Sequence, residues 1–280
     1  MSNTEKIFII LPVYNRRIIT EKFIKCLIKQ TWENFQLILV DDGSNDGTAD
    51  MVISYLPETI FITGKGSWWW GGALQQGINW LKTQGASLND FVLMINDDVM
   101  FSPDFLSDGI ALIRGHLRTL VLAQIIDEKT GMPVESGVTA DLVKQTFSIA
   151  QNENSINCFS TRGLMLRFCN ILEIGNFHPR LLPHYGSDYE YTIRAHKKGF
   201  KFMTSPSFFL EMDRSETGLH SLPDVNLLEF IKNFFSKRYV GNPIYRSSFI
   251  ALTAPLGRRP ILIFGIWNKM FTIIFRKIRT

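Results

Sequence analysis

FQLILVDDGSNDGTADMVISY, residues 35–55, holds a strand, a turn and a helix in one uninterrupted run. Phe35–Val40 is a short apolar segment of strand length, Asp41-Asp42-Gly43-Ser44 is turn chemistry, and Thr48–Tyr55 carries a helical pattern. The same unit recurs on both sides. Upstream, Ile7–Leu11 reads as a buried strand and Ile18–Lys29 as its helix. Downstream come a strand at Ile60–Thr63, a helix over Gly71–Lys82, a strand at Phe91–Ile95, and a helix with Pro103 in its first turn, where a missing N–H costs nothing. This strand–helix alternation predicts an α/β fold with a mostly parallel central sheet covered by helices.

Beyond Ile126 the pattern is less regular, with strands expected near Val134–Thr139 and Gly163–Leu166. A well-punctuated helix follows. Ser187-Asp188-Tyr189-Glu190 opens it with capping-box spacing between Ser187 and Glu190, Lys197-Lys198 closes it, and Gly199 stands where a left-handed cap belongs. No internal repeat or low-complexity segment interrupts the chain.

The totals fit a globular enzyme-sized protein: 280 residues, 45% hydrophobic and 20% charged. Three cysteines, Cys26, Cys158 and Cys169, form no C-x-x-C pair and read as buried thiols of a reducing compartment, not as a disulfide or zinc framework. The start MSNTEK is polar and shows no leader pattern, so a cytoplasmic protein is expected. The net charge of +4 conceals an asymmetry: from Glu229 onward ten basic residues face that single acid, giving +9, and the preceding residues carry −5. No RNA- or DNA-binding motif accompanies the basic tail.

In a parallel sheet, ligands bind beyond the carboxyl ends of the strands. Three of those ends are chemically unusual here: Pro12-Val13-Tyr14-Asn15-Arg16, Asp41-Asp42-Gly43-Ser44, and Asn96-Asp97-Asp98. All three should meet on one edge. Adjacent carboxylates such as Asp97 and Asp98 suit Mg²⁺ or Mn²⁺, which take oxygen ligands and keep room for substrate phosphates; Asn-Asp-Asp also serves as an ordinary turn. Asp46 and Gly43 are accounted for by capping and turning. A carboxylate at Asp41, ending an apolar strand, is better suited to a nucleobase imide or a ribose hydroxyl.

PVYNR, VDDGSNDGT and NDDV, in this order, closely resemble the N-terminal half of the inverting family-2 glycosyltransferases of the GT-A fold. STRGLMLR and LLPHYGSDYEYTIRAHKKGFKF resemble that family's acceptor-side half, so the likeness covers about residues 6–215. The resemblance implies a GT-A domain over residues 1–226 with a basic extension over 227–280. It implies a nucleotide pocket from Pro12, Tyr14, Asn15, Arg16, Asp41 and Asp97, with Asp98 as the principal carboxylate for Mg²⁺ or Mn²⁺. The donor would be a dTDP- or UDP-sugar.

Inversion needs a base for the acceptor hydroxyl, and the resemblance points to Asp188, with Glu190 one turn further as the fallback. The helix N-terminus at Asp188 should lower its pKa, leaving it ionised but weakly basic. The stretch GKGSWWWGGALQQG, residues 64–77, then has a context. WWWGGA before a small-residue helix is similar to a subgroup that includes rhamnosyltransferases of surface-polysaccharide synthesis. An indole face can pack on a sugar's C–H face, and Gly71 and Gly72 would let backbone N–H groups approach phosphate. Trp70, Gly71 and Gly72 are therefore the expected donor-side contacts, with one or two of the tryptophans buried against the sheet. Relatives carry an Asn on the following helix, where this chain has Gln75 and Gln76.

Arg162, His184 and Tyr185 are expected on the acceptor side, Arg162 to neutralise an acceptor phosphate or else to face solvent. A third metal ligand would come from Asp213, His220 or neither. The tail segments Leu227–Phe235 and Ile261–Phe275 mix aromatics with Lys and Arg, which fits peripheral docking on the inner face of the cell membrane or, failing that, a homodimer contact. Ile261–Phe275 carries Asn268 and Lys269 and is too short to span a bilayer. A glycan or lipid-linked acceptor would suit a membrane position. Two other classes compete: a catalytically silent scaffold of the same fold, and a sugar-phosphate nucleotidyltransferase, whose basic Gly-rich loop after the first strand is replaced here by PVYNRR.

Overall fold

The computed structural model describes residues 5–213 and 227–279. The first half is the expected alternation: β1 (Ile7–Val13), α1 (Arg17–Leu27), β2 (Phe35–Asp41), α2 (Thr48–Tyr55), β3 (Ile60–Thr63), α3 (Trp69–Gln84), β4 (Phe91–Met94) and α4 (Phe105–Ile113). Then follow β5 (Thr119–Asp127), β6 (Pro133–Glu135), β7 (Val138–Asp141), β8 (Thr146–Ile149), β9 (Leu164–Arg167), α5 (Phe168–Ile174), α6 (Ser187–Lys197) and β10 (Lys201–Met212). Three helices close the chain: α7 (Leu227–Phe234), α8 (Pro243–Thr253) and α9 (Arg259–Arg279).

The main sheet runs β10-β5-β9-β4-β1-β2-β3, with β6 paired to β5 and a separate β7–β8 hairpin. β1 pairs in parallel with β2 and with β4, because the chain steps outward from β1 to β3 and then returns to the other side of β1. That reversal is the topological switch point where α/β sheets open a crevice. β9 runs antiparallel between β4 and β5, with Met94 opposite Leu164. Its leading residues therefore enter the same edge that β1, β2 and β4 leave. Periodicity alone did not indicate this inversion.

Each face of the sheet buries its own apolar layer. Ile9, Leu11, Leu39 and Leu93 pack under α1, α2 and α4, while Ile10, Ile38, Val92 and Met94 pack under α3, α5 and α6. At Gly77 of α3 an added Cβ would lie 2.6 Å from Ile10, so a glycine sets how closely this helix approaches the sheet.

Several local expectations shift. α3 begins at Trp69, not Gly71, and α4 begins beyond Pro103. The region near Val134–Thr139 divides into β6 and the start of β7, with Gly137 at φ +112° between them. Ser187 does not cap α6. The residue before the helix is Gly186, at φ +79°, and the Ser187 hydroxyl donates to the His184 carbonyl. Glu190 points away from that end and pairs with Arg194. Gly199 does take the left-handed conformation past α6, at φ +82°. All three cysteines are free, but only Cys158 is fully buried.

The C-terminal extension lies against the body. α8 packs on α6, the Lys197 ammonium donates to the Thr253 carbonyl, and Phe249 seats over Gly186 and against Phe147. Trp267 and Met270 of α9 turn inward, Trp267 bonding Ser247 of α8 at 3.1 Å and Met270 packing with Phe230 and Phe234 of α7. Ile261, Phe264, Phe271 and Phe275 remain exposed on α9. Among the described residues, no helix is long and apolar enough to cross a membrane.

Candidate active site

Two turns at the strand ends lock one another. Asn15, in the left-handed conformation that Asn tolerates, donates its N–H to Ser44 Oγ at 2.8 Å and accepts from Asn45 N–H at 2.8 Å through its Oδ1. Arg17 N–H donates to Asp46 at 2.9 Å. Pro12 lies opposite Val40 and Val13 opposite Asp41 in the parallel register, which puts Tyr14, exposed, beside the Asp41 turn. Asp41 is buried; its Oδ1 accepts from the N–H groups of Gly43 and Ser44, and its Oδ2 takes no hydrogen bond from the described residues.

Asp42 is the carboxylate the sequence reading passed over. Its Oδ1 accepts from Gly66 and Ser67 N–H at 2.9 and 3.1 Å, and its Oδ2 from Trp68 and Trp69 N–H at 2.8 and 3.1 Å. One buried side chain thus supplies acceptors for four consecutive N–H groups of the tryptophan loop. A Cβ on Gly64 would collide with that carboxylate and with the Trp68 ring, so the loop needs glycine there. Trp69 sits at φ +58°, a strained conformation for a large residue, and the Asp42 bonds hold it in place.

The three indoles divide their tasks. Trp68 and Trp70 pack against the core on the α3 side of the sheet. Trp70 also donates from Nε1 to Thr161 Oγ1 at 2.9 Å and borders a cavity. Trp69 lies 5.6 Å from the His184 ring and carries Lys237 and Arg238 over its face at 5.8 and 6.0 Å. Gly71 has a different purpose from the one expected. Gly71 N–H is bonded to the Pro183 carbonyl, and a Cβ there would meet Leu182 O at 2.9 Å. Gly72 faces Trp68. Gly71 lets α3 approach the 182–187 turn, and its N–H is not free for a phosphate.

At the end of β4, Asp97 and Asp98 share one guanidinium. Arg16 Nε lies 3.1 Å from Asp97 Oδ1, and Arg16 Nη2 lies 3.3 Å from Asp98 Oδ2. Asp97 also accepts from Thr20 Oγ1 at 2.8 Å. Burial pushes the Asp97 carboxyl up to about 6, against the opposing pull of Arg16. Asp98 differs in one respect: its Oδ1 is buried with no hydrogen-bond partner.

A cavity of about 650 Å³ reaches this turn at Asn96, the residue before Asp97. Asn96 and Trp70 form one wall, and Thr161 and Arg162, just ahead of the antiparallel β9, continue it. Asp188 stands at the start of α6, accepting from Tyr189 N–H at 2.9 Å. Burial pushes its carboxyl up to about 6, with Glu135 adding to the rise and Arg162 opposing it. Desolvation therefore outweighs the helix end, and the base candidate is stronger than its position on a helix suggests. Glu190 is excluded from the fallback role because it is buried and paired with Arg194. His184 and Tyr185 line the same cavity; His184 Nδ1 is buried without a partner, and desolvation holds the ring below its ordinary pKa.

The rest of the wall comes from residues the sequence reading did not place there. Glu135 and Phe147 arrive from β6 and β8, and Tyr239, Tyr245, Arg246 and Phe249 from the C-terminal extension. The run of aromatic and basic residues after Leu227 was visible, but nothing local indicated that it folds back over α6.

Among the described residues no group of three His, Cys, Asp or Glu side chains converges to form a metal cage. Asp213 is paired with Lys129 at 3.0 Å, and His220 lies outside the described residues. The donor set still fits a hard divalent cation of the substrate-sharing kind, which needs one or two carboxylates and completes its shell with phosphate oxygens and waters. The unpartnered Asp98 Oδ1 is the oxygen available for it.

The model of glycosyl transferase family 2 matches residues 8–173, more than half of the chain. The amylovoran biosynthesis glycosyltransferase AmsB of Erwinia amylovora is 27% identical over 213 residues, which are 70% of this chain and 65% of AmsB. S. aureus TarS 1–349, solved in complex with UDP-GlcNAc, superposes with a TM-score of 0.58 at 18% identity over 95% of this chain and 73% of that one. The mannosyltransferase PcManGT from Pyrobaculum calidifontis, solved with GDP-Man and Mn²⁺, gives 0.56 at 13% identity over 95% and 70%. The two superpositions establish the shared fold.

Proposed function

Because the chain belongs to glycosyl transferase family 2, we propose that it is an inverting, metal-dependent glycosyltransferase that moves a sugar from a nucleoside diphosphate to a glycan or lipid-linked acceptor. The observation that carries this reading is the meeting, along one sheet edge, of the Arg16-bridged carboxylate pair with a cavity containing a desolvated Asp188. The two solved relatives bound to UDP-GlcNAc and to GDP-Man with Mn²⁺ support a nucleotide sugar as the donor class. AmsB supports a place in surface-polysaccharide synthesis. Rhamnose from a dTDP donor remains the sugar we favour, on the WWWGGA resemblance.

In this reading Asp41 Oδ2 and the exposed Tyr14 ring receive the nucleoside, with Pro12 and Asn15 shaping the turn beneath it. Asp98 would hold Mg²⁺ or Mn²⁺, which when bound neutralises the leaving diphosphate as a Lewis acid. Arg16 balances Asp97 and Asp98 and adds a donor for phosphate oxygens. The Trp70 face supports the sugar. On the opposite side, Asp188 removes the proton of the attacking hydroxyl. A carboxyl near 6 is ionised at neutral pH yet a stronger base than an ordinary aspartate. The body corresponds to residues 1–226, and the extension of 227–280 builds the acceptor wall.

The exposed apolar residues of α9, with Arg258, Arg259 and Lys269 nearby, support peripheral contact with an anionic membrane face. Gln75, whose departure from the family pattern could signal decay, is fully used in the fold: it accepts from Phe177 N–H and donates to Asn79. Gln75 therefore has a structural role, and turnover of a nucleotide sugar is what separates the enzyme from a silent scaffold. The test is Asp188→Asn assayed with UDP-, dTDP- and GDP-sugars. Transfer should be abolished with nucleotide affinity intact, and retained transfer would assign the base to another residue.

A further inference from the structure

The acceptor cavity has more positive charge than its own acids balance. Arg162, Lys237 and Arg246 line it against Glu135 and Asp188, and Arg238 adds a fourth cation at the Trp69 end. Among the described residues, no carboxylate lies within ion-pair distance of any of these four cations. Arg162 places Nη1 against the Met212 sulfur, a weak acceptor, and its Nε is buried without a partner. Lys237, Arg238 and Arg246 come from the extension that carries +9, while the body they cover carries −5. Both Lys237 and Arg246 are exposed at the cavity mouth, Lys237 over the Trp69 ring, and neither is held by a carboxylate among the described residues.

Neutral sugars call for hydroxyl-bonding acids and amides, not for unpaired cations. Guanidinium forks and ammonium groups suit phosphate oxygens, which accept bidentate, charge-assisted bonds. We propose that the acceptor carries a phosphate or diphosphate group, seated by Arg162, Lys237 and Arg246 beside the attacking hydroxyl. This rests on the glycosyltransferase reading of the site. Phe147, in ring contact with Tyr189 at 5.4 Å and with Phe249 at 5.9 Å, gives the same cavity an apolar wall for the remainder of the acceptor.

The test uses the full chain and three probes in calorimetric titrations at low ionic strength: octyl phosphate, glucose 1-phosphate and the neutral octyl glucoside. Both phosphates should bind and the glucoside should not compete. Arg246→Gln and Lys237→Gln, both at exposed positions, should each weaken phosphate binding about tenfold, the lower end for a charge-assisted hydrogen bond. Tighter binding of octyl phosphate would identify a lipid-linked phosphate as the source, and tighter binding of glucose 1-phosphate a phosphorylated glycan. Equal binding of all three probes, or phosphate affinity unchanged in both variants, would overturn the proposal. UDP, dTDP and GDP titrated on the same chain separate the two readings. Nucleotide binding without phosphate preference sinks only the acceptor assignment, whereas phosphate binding that depends on Arg246 without any nucleotide binding sinks the donor reading.

Discussion

Replacing Asp188 by Asn should stabilise the protein at pH 8 and leave it nearly unchanged at pH 4. The folded chain holds this carboxyl at about 6 against an ordinary 3.8. Each unit of displacement corresponds to about 1.4 kcal/mol, so an ionised Asp188 costs the fold about 3 kcal/mol before local relaxation, and about 1–3 after it. The sign follows from proton uptake. Between pH 4 and 6 the native chain binds more protons than the unfolded one, so stability falls as pH rises through that window. Asparagine keeps an oxygen for the Tyr189 N–H and has no charge to bury. The gain should appear by scanning calorimetry as about 2–6 °C in Tm at pH 8, without nucleotide or metal. An equal shift at both pH values, or a loss at pH 8, would refute the desolvation argument. The same group predicts that kcat/KM of the wild type rises with pH to about 6 and then levels.

Three further outcomes follow from neighbouring geometry. Arg16→Gln leaves Asp97 and Asp98 without their shared cation, which should lower stability by about 1–3 kcal/mol at pH 8 and by less near pH 5, where Asp97 takes up a proton; calorimetry across that range checks it. Asp42→Ala strands four loop N–H groups and should cost more than about 3 kcal/mol in urea titration, with a red shift of indole emission as the tryptophan loop opens. Glu190→Gln should lose about 2–3 kcal/mol through its broken Arg194 pair yet retain transfer per folded molecule, in contrast to Asp188→Asn.

The parallel half of the fold was legible because its strands are continuous apolar runs and its turns carry Gly, Asp and Asn. The boundaries of β3 and α2 fall where the pattern puts them. β9 was located but not its direction, since an antiparallel strand buried on both faces has the same apolar signature as a parallel one. Asp97, Asp98 and Asp188 were legible as carboxylates at element ends. Asp42 was not singled out, because a carboxylate that accepts backbone N–H groups from a loop more than twenty residues away leaves no local spacing to read. The capping box failed for the opposite reason: the right residues stand at the right interval, but Ser187 bonds His184 and Glu190 bonds Arg194. The far wall of the cavity depends on α8 packing on α6, a contact between distant segments that no periodicity reports.

The most direct test of the central claim is calorimetric binding of UDP, dTDP and GDP to the wild type and to Asp98→Asn, each with Mn²⁺ and with chelator. The account predicts binding of at least one nucleotide that requires Mn²⁺ in the wild type and is lost in Asp98→Asn. The absence of nucleotide binding, or binding that is indifferent to both Mn²⁺ and Asp98, would contradict it.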